Sequence, residues 1–214
     1  LASGREVEAE LRRMRELFLR WNPSTTMKCA IFEENGNRHD MQRVLGHVTL
    51  QNAVRRMGDF VLTSCAANAL QPYRQNDNGW DQGQVFFTPS QVWGMPPYYA
   101  QQMAAAHHRP LTVGCGVEGA DGVLDVTATR SREAGSVVLH IANTGAEPLR
   151  VGLRVDGMGK VSQARMVSLS GDLDAVNTPE EPRRIAPVGR ELPARAAQTV
   201  DIAPYSYTIV VLDE

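Results

Sequence analysis

The sequence predicts a multidomain α+β chain. A segment of an incomplete (β/α)8 barrel covers residues 1–109, and an antiparallel β-sandwich covers 110–214. Three observations carry this prediction. Helical and strand-like patterns alternate up to Arg109-Pro110, which implies parallel strands joined by right-handed crossovers. Beyond that point short β-rich runs are separated by turn residues, the mark of a sandwich. An eightfold barrel takes roughly 250 residues, and the first part offers two clear strands, so the barrel is expected to be incomplete and the chain to be the carboxy-terminal portion of a longer protein. Leu1, which is not an initiator Met, agrees with that expectation.

The first element is an amphipathic helix from about Arg5 to Trp21, with Val7, Leu11, Met14, Phe18 and Trp21 at helical spacing and charges on the other face. Asn22-Pro23-Ser24 stops it, because proline cannot continue a helix. A buried strand, Lys28 to Phe32, follows. Met41, Val44, Leu45 and Val48 mark a second helix running to Arg56, with Asn37 or Asp40 as its cap. Phe60 to Cys65 reads as a second buried strand. Gln71 to Pro89 reads as a long irregular stretch, and Gly94-Met95-Pro96-Pro97 opens a third helix from Tyr98 to about His107. Six sandwich strands are expected at Gly122–Thr129, Ser136–Ala142, Leu149–Val155, Ala164–Leu169, Thr199–Ile202 and Tyr207–Leu212, the sandwich having one buried face. Of Tyr207 and Thr208, which alternate, one is expected in the core.

Chemistry concentrates where the first strand ends in Glu33-Glu34 and runs into Asn35-Gly36-Asn37-Arg38-His39-Asp40. The rim formed by strand ends and their loops is where α/β barrels carry catalytic residues. A desolvated carboxylate loses several kcal/mol of hydration, so two adjacent glutamates after an apolar strand require either solvent or a partner. Successive strand side chains point to opposite faces, so only one of the two can enter a pocket, the other being support or surface. A solvated strand end is the alternative reading. Trp80 and Trp93 could stack on a sugar ring, although a Trp in a loop also packs over a core edge. His107-His108 invites a metal reading, but adjacent helical positions point apart and no second cluster is visible, so a solvated helix end is expected.

With 22 Lys and Arg against 24 Asp and Glu, the chain shows no basic stripe of the kind that follows phosphates, and nucleic acid is not an expected partner. No apolar run approaches the roughly 20 residues needed to span a bilayer, so no membrane segment is expected. Cys29, Cys65 and Cys115 are odd in number and widely spaced in apolar surroundings, which predicts buried free thiols in a reducing, cytoplasmic compartment.

Four stretches carry a resemblance to a known family. They are Ala30-Ile31-Phe32-Glu33-Glu34-Asn35-Gly36-Asn37-Arg38-His39-Asp40, Trp93-Gly94-Met95-Pro96-Pro97-Tyr98-Tyr99-Ala100-Gln101-Gln102, Gly171-Asp172-Leu173 with Asn177-Thr178-Pro179-Glu180, and Pro204-Tyr205-Ser206-Tyr207-Thr208. In this order they resemble family 51 α-L-arabinofuranosidases. The resemblance implies the last part of a barrel followed by a jelly-roll domain. It also implies a retaining glycosidase that removes terminal arabinofuranosyl groups from arabinoxylan, arabinan and related oligosaccharides, needs neither metal nor organic cofactor, and assembles as a homo-oligomer. It makes Glu34 the nucleophile, with Glu33 in the preceding place and Asn35 where an aromatic is usual. The acid/base Glu of the family lies upstream of every residue present here, so the chain alone is expected to be inactive. A non-catalytic sandwich module that binds carbohydrate or a partner is the competing expectation.

Overall fold

A computed structural model of the protein describes residues 4–75, 81–133 and 135–214. Helix α1 (Gly4–Trp21) leads into strand β1 (Cys29–Glu34), then α2 (Met41–Arg56) and β2 (Val61–Ala66). The two strands are parallel, as the alternating pattern predicts. Leu11, Met57, Phe60 and Val61, with Val7, Phe18, Cys29 and Ile31 packed against them, form a small core between the helices and one face of this pair. The other face is open: Phe32 is 78% and Leu62 70% exposed. Where a barrel segment is expected, the described residues form this two-stranded parallel sheet and a separate three-stranded one, and a barrel is not among the described elements.

The stretch expected to be irregular contains three short strands, β3 (Leu70–Pro72), β4 (Val85–Phe87) and β5 (Val92–Gly94), that form their own sheet. The β4–β5 hairpin turns through Thr88, whose hydroxyl accepts from the backbone of Gln91 at 3.1 Å. Helix α3 (Pro96–Ala106) follows, with its prolines in the first turn.

The sandwich contains β6 (Leu111–Val113), β7 (Leu124–Arg130), β8 (Ser136–Asn143), β9 (Leu149–Arg154), β10 (Gln163–Ser170), β11 (Val188–Leu192), β12 (Ala197–Ile202) and β13 (Ser206–Asp213). Six of these make an antiparallel sheet in the order β11-β10-β13-β8-β7-β6, and β9 pairs with β12 in a smaller one. Between the two sheets lie Leu139, Ile141, Val210 and Leu212 against Leu153, Val200 and Ile202.

One sequence expectation is corrected here. The large sheet is buried on both faces, not one, because α2 and α3 cover its second side. Met41, Val44, Val48, Tyr99, Ala100 and Met103 pack there on Val138, Ala142, Tyr207, Ile209 and Val211. Accordingly Tyr207 and Thr208 are both fully buried, although alternation alone would expose one of them. The near-continuous apolar run Tyr207 to Leu212 reports this double burial, as it does in any strand covered on both sides. With Tyr207 buried and Tyr205 half-buried, the sandwich has no exposed aromatic platform from these two residues. The thiols depart from expectation too: Cys65 and Cys115 are exposed, and only Cys29 is half-buried. No helix among the described residues is long and apolar enough to cross a membrane.

Candidate active site

The site grows from an irregularity in the β1–β2 register. Ile31 pairs with Ser64 and Glu34 with Ala66, so three steps along β1 match two along β2. Such a bulge reverses which face each later side chain takes. Glu34 therefore turns to the same side as Ile31, toward α2, and Glu33 is left exposed. Sequence alternation predicts that the two carboxylates part. It cannot predict the bulge, and so cannot say which goes where.

Glu34 is enclosed, its side chain only 2% exposed. One carboxylate oxygen accepts from the Ser64 hydroxyl of β2, and the other lies 2.7 Å from Nδ1 of His47 on α2. Burial holds the His47 imidazole below its ordinary range, favouring the neutral ring. A carboxylate only accepts, so Nδ1 carries the proton and Nε2 accepts from the Gln84 amide at 3.4 Å. Arg43 lies one turn before His47 on the same helix face, 2% exposed. Its Nη2 donates to the carbonyl of Glu34 and its Nη1 to that of Asn35 at 2.6 Å. Desolvation works against the buried guanidinium, and the nearby charge of Glu34 works for it.

Glu33 has the opposite surroundings. Its carboxylate accepts from the Asn35 side-chain amide at 3.3 Å. The Asn35 side-chain Oδ1 in turn accepts from Gln82 at 2.9 Å, and the Gln82 side-chain oxygen accepts from the backbone of Gly36 at 2.7 Å. This chain of amides fixes the loop without closing over the carboxylate. Beside it, Asn37 accepts from the backbone of Asp81 at 2.7 Å, and the Asp81 carboxylate meets Gln71 and His39, each at 2.9 Å. Asp81, Gln82 and Gln84 are site residues that sequence reading missed. The turn-rich Asn76-Asp77-Asn78-Gly79 run was the available signal that this loop is built for something.

Of the two tryptophans, Trp80 lies outside the described residues. Trp93 is 4% exposed, edge-on to Tyr73 with ring centroids at 5.2 Å and tilted on Phe86 at 6.2 Å, so both faces are occupied by protein. His107 closes α3, its ring beside the carbonyl of Met103 at 2.8 Å.

The fold of this chain is similar to that of solved α-L-arabinofuranosidases. Relative to an α-L-arabinofuranosidase from Thermotoga petrophila RKU-1 the TM-score is 0.85 at 17% identity, covering 97% of this chain and 48% of that one. An arabinose complex of the Thermotoga maritima enzyme gives 0.82 at 18% identity with the same coverage. A family 51 arabinofuranosidase from Xanthomonas axonopodis pv. citri gives 0.76 at 11% identity, over 96% of this chain and 45% of that one. The chain thus spans less than half the length of these enzymes. No curated protein matches the sequence. A family model for the α-L-arabinofuranosidase C-terminal domain matches residues 22–206, and the chain belongs to that family.

Proposed function

We propose that this chain is the carboxy-terminal part of a retaining α-L-arabinofuranosidase, with Glu33 as its nucleophile. Residues 1–109 would complete the catalytic barrel and 110–214 form the sandwich that buttresses it. The exposed Phe32 and Leu62 on the open face of β1 and β2 support the first assignment, since a barrel interior would cover them. A homo-oligomer acting on arabinofuranosyl oligo- or polysaccharides belongs to the same reading.

The choice of carboxylate differs from the one that the resemblance implies. One observation carries it: Glu33 is the carboxylate that a sugar can reach. Glu34 has both oxygens engaged and its side chain closed off against α2, so it cannot approach an anomeric carbon without breaking its contacts with Ser64 and His47. In the retaining reaction the Glu33 oxygen attacks C1 of the arabinofuranosyl group as the glycosidic C–O bond breaks. A second carboxylate about 5–5.5 Å away gives its proton to the leaving oxygen, then takes one from the water that hydrolyses the glycosyl-enzyme ester. That second carboxylate is expected from the amino-terminal part of the barrel, so this chain alone is expected to show negligible turnover.

The test is hydrolysis of an aryl α-L-arabinofuranoside by the enzyme that carries this chain. Glu33→Ala should abolish turnover, and added azide should restore it by forming the glycosyl azide. If Glu34→Ala behaves that way while Glu33→Ala stays active, the assignment reverses.

A further inference from the structure

Arg43 sits where a cation is disfavoured twice over. It is buried, and it stands in the first turn of α2, where the helix dipole is positive, with the capping Asp40 at that end engaged by the backbone of Arg43 and by Arg38. Its Nε has no hydrogen-bond partner among the described residues. Stability alone does not account for such a placement. The other two nitrogens, however, grip the carbonyls of Glu34 and Asn35, the backbone on which Glu33 leaves the strand.

Building on the assignment of Glu33, we propose that Arg43 is a positioning residue for that carboxylate. Its guanidinium fork, balanced by the buried Glu34, clamps the end of β1 to α2 and sets the direction in which the Glu33 side chain points. Glu34 then has two tasks: it neutralises the clamp, and through Ser64 and His47 it ties the clamp to β2 and to the second turn of α2. Positioning errors of about 1 Å at a reacting group can cost roughly 10²-fold in rate. A rigid fork holding two successive carbonyls is a device for preventing them.

The experiment is Arg43→Lys in the enzyme that carries this chain, assayed with an aryl arabinofuranoside. Lysine keeps the charge that Glu34 needs but presents one point donor in place of the fork. We expect kcat to fall on the order of 10²-fold, with KM within about twofold and the thermal midpoint near that of the parent. Arg43→Ala should lose more, and added methylguanidinium should restore part of its kcat. In this chain on its own, amide hydrogen exchange at Asn35 and Gly36 should quicken in Arg43→Lys while the body of α2 stays protected. A folded Arg43→Lys enzyme with unchanged kcat, or a loss confined to KM, would overturn the proposal. If the parent enzyme hydrolyses no arabinofuranoside, the function proposed above fails by itself. The exchange arm then decides the clamp, and unchanged exchange at Asn35 and Gly36 would refute it.

Discussion

At the scale of single residues, two histidines tie this fold to pH. His47 is 1% exposed against Glu34, and His140 is fully buried, its Nδ1 2.7 Å from the Tyr207 hydroxyl. Burial lowers the pKa of both, His140 further, with the charges of Arg55, His107 and His108 adding to the effect there. Burial likewise pushes the Tyr207 phenol up to about 12, so it stays a neutral partner. The sign follows from linkage. In the unfolded chain each imidazole takes a proton below about pH 6.5, and the folded chain resists until the pH is lower. Their stabilisation is therefore whole above pH 6.5 and declines below it, by up to about 1.4 kcal/mol per pH unit for each group. Urea unfolding at pH 7.5 and 5.5 should show the decline, and the double substitution His47→Gln, His140→Gln should flatten it. A parent whose stability does not change over that interval would contradict the burial of these rings as neutral species.

Among elements, α2 carries the most because it faces three ways. Its first turn is capped by Asp40, which accepts from the backbone of Arg43 at 3.1 Å and from Arg38 at 2.7 Å. Asp40→Ala should cost about 1 kcal/mol, and Asp40→Asn most of that less, as read by denaturant midpoints. Its last turns are bolted to the sandwich by Asn52, fully buried, which donates to the Asp125 carboxylate at 2.8 Å and accepts from Thr127 at 2.8 Å and Arg55 at 2.9 Å. Asn52→Leu strands those partners, and a penalty of about 1–3 kcal/mol is expected. The bounds of α2 and the parallel pairing it bridges were legible in the sequence, and its cap was narrowed to Asn37 or Asp40, since apolar spacing, a polar residue before it and a strand-helix-strand order are local signals. The strands Leu70–Pro72, Val85–Phe87 and Val92–Gly94 were not. Each is only three residues long, too short to carry a clear alternation of its own, and is held by its pairing with the neighbouring short strands. The bulge before Glu34 was equally hidden, because it depends on how β1 meets β2.

At the scale of the molecule, one hydrophobic core crosses the expected boundary near residue 109. Met41, Val44, Tyr99 and Met103 from before it share one cluster with Val138, Tyr207, Ile209 and Val211 from after it. Arg56 adds an ionic tie, reaching Glu8 at 2.6 Å and Asp125 at 3.1 Å. The composition of the sandwich strands was readable in the sequence, but not the fact that helices would cover their second face. A single unfolding transition follows. All three tryptophans lie before residue 94, so their fluorescence should report the same midpoint as far-UV ellipticity dominated by the sandwich. Residues 110–214 made separately would leave Val138, Ala142 and Val211 uncovered, and should be far less stable or associate.

The account turns on which of two adjacent carboxylates faces the open side of β1, and the most direct test is carbodiimide-driven coupling of an amine to the folded chain, mapped by mass spectrometry. Glu33 should be modified readily, while Glu34 stays unmodified until the chain is unfolded. Modification of Glu34 in the folded chain, with Glu33 spared, would contradict both the reading of the nucleophile and the clamp built around it.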